Sequence, residues 1–161
     1  MWHVVNVAGD GHCFFRATSH ALFGHDNDND VLLGLRILVA NAVCARFDDM
    51  AVHVLFTHPG NLSSASDYRA FMVNHTEAPY ASDIEARALA CALGLRVEIY
   101  SDDGGVVRTY DATIPTDVLR LTSTFEPDGN VESGILRLLH TGDRAGRYQA
   151  DHGRAMAITA C

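Results

Sequence analysis

Cys13 follows a glycine-rich turn and stands where a helix is expected to begin, a helix that continues to about Leu22. A thiol attacks a carbonyl group as the thiolate, and the positive end of a helix with its free backbone N–H groups lowers a thiol pKa. Gly9 and Gly11 allow the backbone to bend so that N–H groups converge where a tetrahedral oxyanion would form. The segment therefore suggests a nucleophilic cysteine, although many free cysteines are only small buried hydrophobes.

Composition restricts the classes of protein to which this thiol could belong. The chain has 161 residues, 12 basic and 20 acidic, for a net charge of −8, and 48% of its residues are hydrophobic. These values predict one folded domain over 1–161 and argue against disorder and against binding of nucleic acid. No apolar run is long enough to span a bilayer, and residues 1–7 lack the features of a secretion signal. The four cysteines contain no C-x-x-C pair, which predicts neither a zinc ribbon nor a disulfide scaffold and favours a reducing compartment.

Two further helices are indicated by their apolar periodicity and end signals. Residues 31–42 carry an apolar stripe at helical spacing, preceded by Asp28 and Asp30, whose charges complement the helix dipole. Ser82 and Glu85 have the spacing of a capping box, and the helix that they begin is expected to stop at Gly94. The acidic stretch 25–30 and the segment 60–66 are interpreted as surface loops.

Strand patterns dominate the second half of the chain. Residues 95–100 alternate between apolar and polar side chains, and Asp103-Gly104-Gly105 predicts a tight turn into a second strand at 106–110. Apolar runs at 134–139 and 155–159 predict two more strands. Helices at the front and a small sheet built mainly from the back half indicate an α+β, or mixed α/β, domain.

Three blocks of sequence resemble one known family. Asp10-Gly11-His12-Cys13-Phe14-Phe15-Arg16-Ala17 is similar to the D-G-x-C-[FL]-[FYW]-R motif of the ovarian-tumour (OTU) cysteine proteases. Residues 80–90, with Tyr80 in place of a tryptophan, resemble the family's W-G-x-x-x-E-x-x-A-L-A helix, and residues 95–100 resemble the strand that follows it. Residues 134–139 resemble the strand that leads to the catalytic histidine of the family. The three blocks occur in the family's order.

This resemblance implies a papain-type fold with a small central sheet flanked by helices, and a deubiquitinase that needs no cofactor and no metal. The implied partner is ubiquitin or polyubiquitin, or a ubiquitin-like modifier, bound by a monomer that engages neither nucleic acid nor membrane. Cys13 would be the nucleophile, Asp10 would help to hold the oxyanion loop, and Gly11 and His12 would contact substrate. A cytoplasmic location is expected, the host cytoplasm if the chain is an effector domain of a virus or bacterium.

The histidine that should pair with Cys13 has three alternatives, because the family's H-[YF]-[DN] motif is altered in this chain. His152 precedes the last apolar run and is the preferred base, although Arg154 stands where the family has an acid or amide. His140 is a second candidate. In a third alignment Arg147 occupies the histidine position, and an arginine cannot accept a proton at ordinary pH.

If His152 is the base, the group that orients its ring could be Asp151, Asn6 or a backbone carbonyl. The alignment with Arg147 at the histidine position predicts a different kind of protein, an inactive pseudoenzyme that binds ubiquitin or another partner. The remaining histidines, His58 among them, are interpreted as surface residues in the main, and Glu85 receives no role beyond its capping box.

Overall fold

A computed structural model describes residues 2–58, 62–74, 76–77, 79–100, 106–110, 135–141 and 154–160. Along the chain these form β1 (Trp2–Asn6), α1 (Cys13–Phe23), α2 (Asn29–Cys44), α3 (Phe47–Thr57), α4 (Ala65–Met72), α5 (Asp83–Leu93), β2 (Arg96–Tyr100), β3 (Val106–Tyr110), β4 (Ile135–Thr141) and β5 (Arg154–Ala160). The architecture is α+β, as predicted, with the helices in the first half and four of these strands in the second.

The five strands form one mixed sheet in the order β1-β5-β4-β2-β3. β5 lies between β1 and β4 and runs antiparallel to both, while β4 and β2 are parallel and β2 and β3 antiparallel. The predicted hairpin is therefore present in its two strands, whereas its turn at 103–105 lies outside the described residues. Among the described strands, the first in sequence thus pairs with the last.

The helix ends follow their local chemistry. The Asp28 carboxylate caps α2 by accepting hydrogen bonds from the backbone N–H groups of Asp30 and Val31. Ser82 and Glu85 form the predicted capping box of α5, and Gly94 ends that helix in the left-handed region at φ 65°. A side chain would be strained there, so the glycine is required by the backbone.

Two expectations from the sequence need correction. The segment 60–66 is not entirely loop, because Ser64 caps α4 through the Asp67 N–H and Ala65 and Ser66 form its first turn. The acidic stretch 25–30 likewise ends inside α2, which begins at Asn29.

α2 is the central helix, since it packs against α1, α3, α4 and α5. α1 also packs against β4 and β5. The most deeply buried apolar side chains, each at most 1% exposed, include Phe15, Leu32, Leu35, Val39, Met72, Leu89, Val97 and Leu136. This core makes a rigid support for the segment that carries Cys13.

Candidate functional site

Cys13 is the first residue of α1, as the sequence predicts, and it is a free, half-buried thiol. Residues 7–12 connect it to the end of β1. The next two residues, Phe14 and Phe15, are buried with their rings edge to face at 5.3 Å between centroids. Because the first turn of α1 is anchored in the core in this way, the position of the thiol is set by the backbone of a fixed helix end.

Asp10 is held in place by Arg16, six residues further along the chain. The Arg16 Nη2 lies 3.0 Å from Asp10 Oδ2, its Nε lies 3.2 Å from both carboxylate oxygens, and its Nη1 donates to the Asp26 carbonyl at 2.8 Å. Burial alone would raise the pKa of Asp10, but the bonds from Arg16 and from the His12 N–H outweigh it and lower that pKa. Asp10 is therefore an anion whose bonds hold the loop.

The loop before Cys13 is a tight turn closed by its own backbone. The Cys13 N–H donates to the Asp10 carbonyl at 2.9 Å, and the His12 N–H donates to Asp10 Oδ1 at 2.9 Å. The N–H groups of His12 and Cys13 are thus both engaged with Asp10. An oxyanion bound by either group would have to share the N–H with Asp10 or displace this acceptor.

The thiol is not activated by the helix end alone. Burial is the largest influence on the Cys13 pKa and raises it to about 11, against the opposing effects of the Phe14 N–H and the Arg36 charge. A thiol with this pKa is almost fully protonated at neutral pH. Nucleophilic attack would therefore need a base that takes the proton.

The sheet brings three strand ends together on the side from which the chain runs to Cys13. Asn6, the last residue of β1, pairs with Met156, and Thr141, the last residue of β4, pairs with Arg154 at the start of β5. The end of β1, the end of β4 and the start of β5 therefore lie side by side where the chain leaves β1 for Cys13. The His140 backbone is in β4, opposite Ala155, whereas Arg147, Asp151 and His152 lie outside the described residues.

His12 is oriented into the protein. It is 6% exposed, and its Nδ1 accepts a hydrogen bond of 3.1 Å from the Nε of Arg36 in α2. A contact between its side chain and substrate remains a prediction. Gly11, the other predicted contact residue, is half-buried, and its carbonyl also accepts from Arg36, at 2.8 Å.

A buried polar cluster surrounds Glu85 and was missed in the sequence. Glu85 is fully buried and accepts hydrogen bonds from Tyr68 Oη at 2.5 Å, His58 Nε2 at 2.8 Å, and Ser82 N and Oγ at 2.6 Å each. The interpretation of His58 as a surface residue is wrong, since it is 7% exposed. The only sequence signal was the capping box, which explains one carboxylate oxygen and not the other.

Within the described parts of the chain, no group of three or more His, Cys, Asp or Glu residues is arranged to hold a metal ion. A search of the same residues finds no helix with the length and apolar character needed to cross a membrane.

Comparison with known proteins identifies the fold family. The family described as OTU-like cysteine protease matches residues 8–119, which include Cys13 and both halves of the second sequence block. The chain belongs to the OTU-like cysteine proteases.

Relatives of this OTU chain include the ubiquitin thioesterase otu2 of Schizosaccharomyces pombe, which is 30% identical over 110 residues. That match covers 68% of this chain and 36% of the relative, so the chain spans about a third of the length of this curated protein. The viral OTU domain protease from Dera Ghazi Khan virus superposes with a TM-score of 0.63 at 20% identity, covering 99% of this chain and 82% of that one. The Hazara virus OTU bound to ubiquitin gives 0.58 at 16% identity, with the same coverage. At these identities the structural matches show the OTU fold.

Proposed function

We propose that this OTU domain is a deubiquitinase that hydrolyses the peptide or isopeptide bond after the C-terminal glycine of ubiquitin or of a ubiquitin-like modifier. The observation that carries the proposal is the free thiol of Cys13 at the first position of α1, behind a turn held by Asp10. The S. pombe relative named a ubiquitin thioesterase and the viral OTU solved with ubiquitin support the substrate class. The domain is proposed to act as a monomer, with 1–161 as one catalytic unit.

The proposed reaction uses the thiol in two half-reactions. The base takes the proton from Cys13 as Sγ attacks the glycine carbonyl carbon, and the oxygen becomes an oxyanion. Collapse of this intermediate breaks the C–N bond, and the protonated base gives its proton to the leaving amine. Water then attacks the thioester, the base accepts a proton from the water, and the thiolate leaves and is reprotonated. The products are ubiquitin with a free C-terminal carboxylate and the amine.

His152 is the proposed base. It stands two places before Arg154, the residue that begins β5 beside the ends of β1 and β4. Two observations support this choice: β5 packs against α1, and its start lies beside the end of β1, from which residues 7–12 lead to Cys13. The raised pKa of Cys13 makes the base indispensable, because without it only a minute fraction of the thiol ionises at neutral pH.

The oxyanion is proposed to accept from the Cys13 N–H, with Asp10 stabilising the turn. In the structure this N–H donates to the Asp10 carbonyl at 2.9 Å. One N–H at a helix terminus is commonly shared between two acceptors, so the group is able to serve the oxyanion without complete loss of the turn.

The test is incubation with ubiquitin that carries a C-terminal thiol-reactive warhead, read by intact mass. The wild type is expected to gain one ubiquitin, Cys13→Ala to gain none, and His152→Ala to react about 100-fold or more slowly. Cys44→Ala is the matched control, because Cys44 is also a free, half-buried thiol but donates to the Ala65 carbonyl far along the chain. It is expected to react like the wild type.

Other outcomes reassign the function. Slow reaction in His140→Ala, with His152→Ala unaffected, would move the base to β4. No adduct in a folded wild type that still binds ubiquitin would favour the pseudoenzyme, which the alignment of Arg147 with the histidine position supports. Neither adduct nor binding would refute ubiquitin as the substrate.

A further inference from the structure

Arg36 is a fully buried cation at the centre of the helical layer. It lies on α2, is 0% exposed, and its guanidinium stacks on the Phe15 ring at 4.5 Å from the centroid. All five of its N–H donors are used: Nε bonds to His12, Nη1 to the carbonyl and Sδ of Met72, and Nη2 to the carbonyls of Gly11 and Pro79. One side chain therefore ties together the turn before Cys13, the end of α4 and the segment before α5.

The acceptors of this guanidinium are neutral. Among the ion pairs of the described residues none includes Arg36, and burial lowers its pKa only to about 10, so it stays charged at neutral pH. Desolvating a cation without a direct counter-ion costs free energy that an apolar side chain in the same place would not incur. Arg36 is thus poorly explained as a contribution to core stability alone.

Its contacts instead determine the orientation of one peptide group. The Gly11 carbonyl accepts from Arg36 Nη2 at 2.8 Å on the core side, and the His12 N–H donates to Asp10 Oδ1 at 2.9 Å on the other. In a trans peptide the C=O and N–H point in opposite directions, so these two bonds fix the plane of the Gly11–His12 peptide from both sides. The next residue is Cys13.

We propose that Arg36 is a positioning residue for the thiol: it holds the Gly11–His12 peptide from the core side, as Arg16 holds Asp10 from the outer side, and so sets the geometry of Cys13 and its N–H for attack. The inference rests on the proposed function for its kinetic consequence. Its structural consequence, an ordered turn at 10–13, stands apart from any substrate.

The test compares Arg36→Lys and Arg36→Met with Val43→Ala in the full chain. Lysine keeps the charge but has one donor nitrogen, which cannot reach the three segments together. Val43 is fully buried on the same helix, and its truncation weakens the core without removing any bond to the turn. Thermal melting shows whether each variant is folded and how much stability it has lost.

Two readouts follow. With ubiquitin that carries a C-terminal fluorogenic amide, both Arg36 variants are expected to lose about tenfold or more in kcat with KM changed less than about twofold, while Val43→Ala keeps its kcat. Hydrogen exchange over residues 9–15, without substrate, is expected to accelerate at the His12 and Cys13 amides in the Arg36 variants only.

Unchanged kcat and unchanged exchange in folded Arg36 variants would overturn the inference and leave the proposed function intact. If the wild type releases no fluorophore, the proposed function fails, and the exchange result alone decides whether Arg36 orders the turn. If neither Arg36 variant folds, His12→Leu and His12→Asn replace them, since asparagine keeps an acceptor for Arg36 Nε and leucine does not. Compared with His12→Asn, His12→Leu is then expected to show faster amide exchange over residues 9–15 and a lower kcat. Equal exchange and equal kcat in the two variants would refute the proposal.

Discussion

Replacement of Glu85 by glutamine tests the buried cluster that supports α5. The substitution keeps the size of the side chain and removes its charge. Four hydrogen bonds, from Tyr68, His58 and twice from Ser82, now end on a carboxylate that is 0% exposed. A hydrogen bond to a charged group contributes about 1 kcal/mol more to stability than a bond to a neutral group, so the four bonds weaken together. The variant regains part of this loss because it no longer buries a charge. We therefore expect Glu85→Gln to lose about 2–3 kcal/mol of unfolding free energy.

The assay is urea unfolding at neutral pH together with thermal melting. A loss of this size lowers the Tm by about 4–12 °C for a domain of this length. Glu77→Gln is the matched control, because Glu77 is exposed and the bond it makes, from its backbone N–H to Asn74 Oδ1, does not involve the side chain. A loss below about 0.5 kcal/mol, the range of surface substitutions, would refute the reasoning.

The pH dependence gives the same experiment a second test. Burial alone raises the pKa of Glu85, but the hydrogen bonds from His58, Ser82 and Tyr68 outweigh it and hold that pKa below its usual value of 4.5. A lowered folded pKa means that the stabilisation is present above the unfolded pKa and is lost as the pH falls through the folded one. The difference between wild type and Glu85→Gln should therefore be constant from pH 8 to about 5 and shrink below that. A difference that grows on acidification would contradict it.

Three further predictions concern Cys13, Asp10 and Gly94. In His152→Ala, alkylation of Cys13 by iodoacetamide should accelerate steadily from pH 7 toward its pKa of about 11, and a plateau below pH 8 would contradict an isolated buried thiol. Asp10→Asn should weaken the bonds of this side chain to Arg16 and to the His12 N–H, so that kcat falls about tenfold while the Tm changes by only a few degrees. A kcat equal to that of the wild type would show that Asp10 does not support the loop. Gly94→Ala should cost about 1 kcal/mol in urea unfolding, because its φ is 65°, and no cost would show that α5 ends in another way.

Much of the fold could be predicted because the signals were local. The capping box at Ser82 and the acidic cap at Asp28 mark helix starts within four residues, and Gly94 marks an end. The missed elements lack such signals: Arg46, the residue preceding α3, makes no side-chain cap, and β1 pairs with β5, which is about 150 residues away in sequence. The helix α4 did have a local signal in Ser64, hidden in a serine-rich segment that resembles a loop.

The site was predictable only where residues adjacent in sequence form it. The turn from Asp10 to Cys13 is one such segment, and its bond to Arg16 remains within the same motif. Arg36 bonds to residues that are 24 to 43 positions away in sequence, and Glu85 bonds to a residue 27 positions away. A charged residue on an amphipathic helix is by default assigned to the solvent face. Single-sequence periodicity contains no information about which charges are buried.

The pairing of β1 with β5 has a consequence for the synthesis of this protein. The thiol precedes α2 to α5 in the sequence, while the two strands that pack against its helix, β4 and β5, are synthesised after them. A nascent chain that has emerged only as far as α5 has its Cys13 segment but not the sheet on which α1 rests. The packing of α1 on β4 and β5 is therefore complete only after residue 160 has left the ribosome, so a shorter nascent chain is expected to have the Cys13 thiol without the folded site around it.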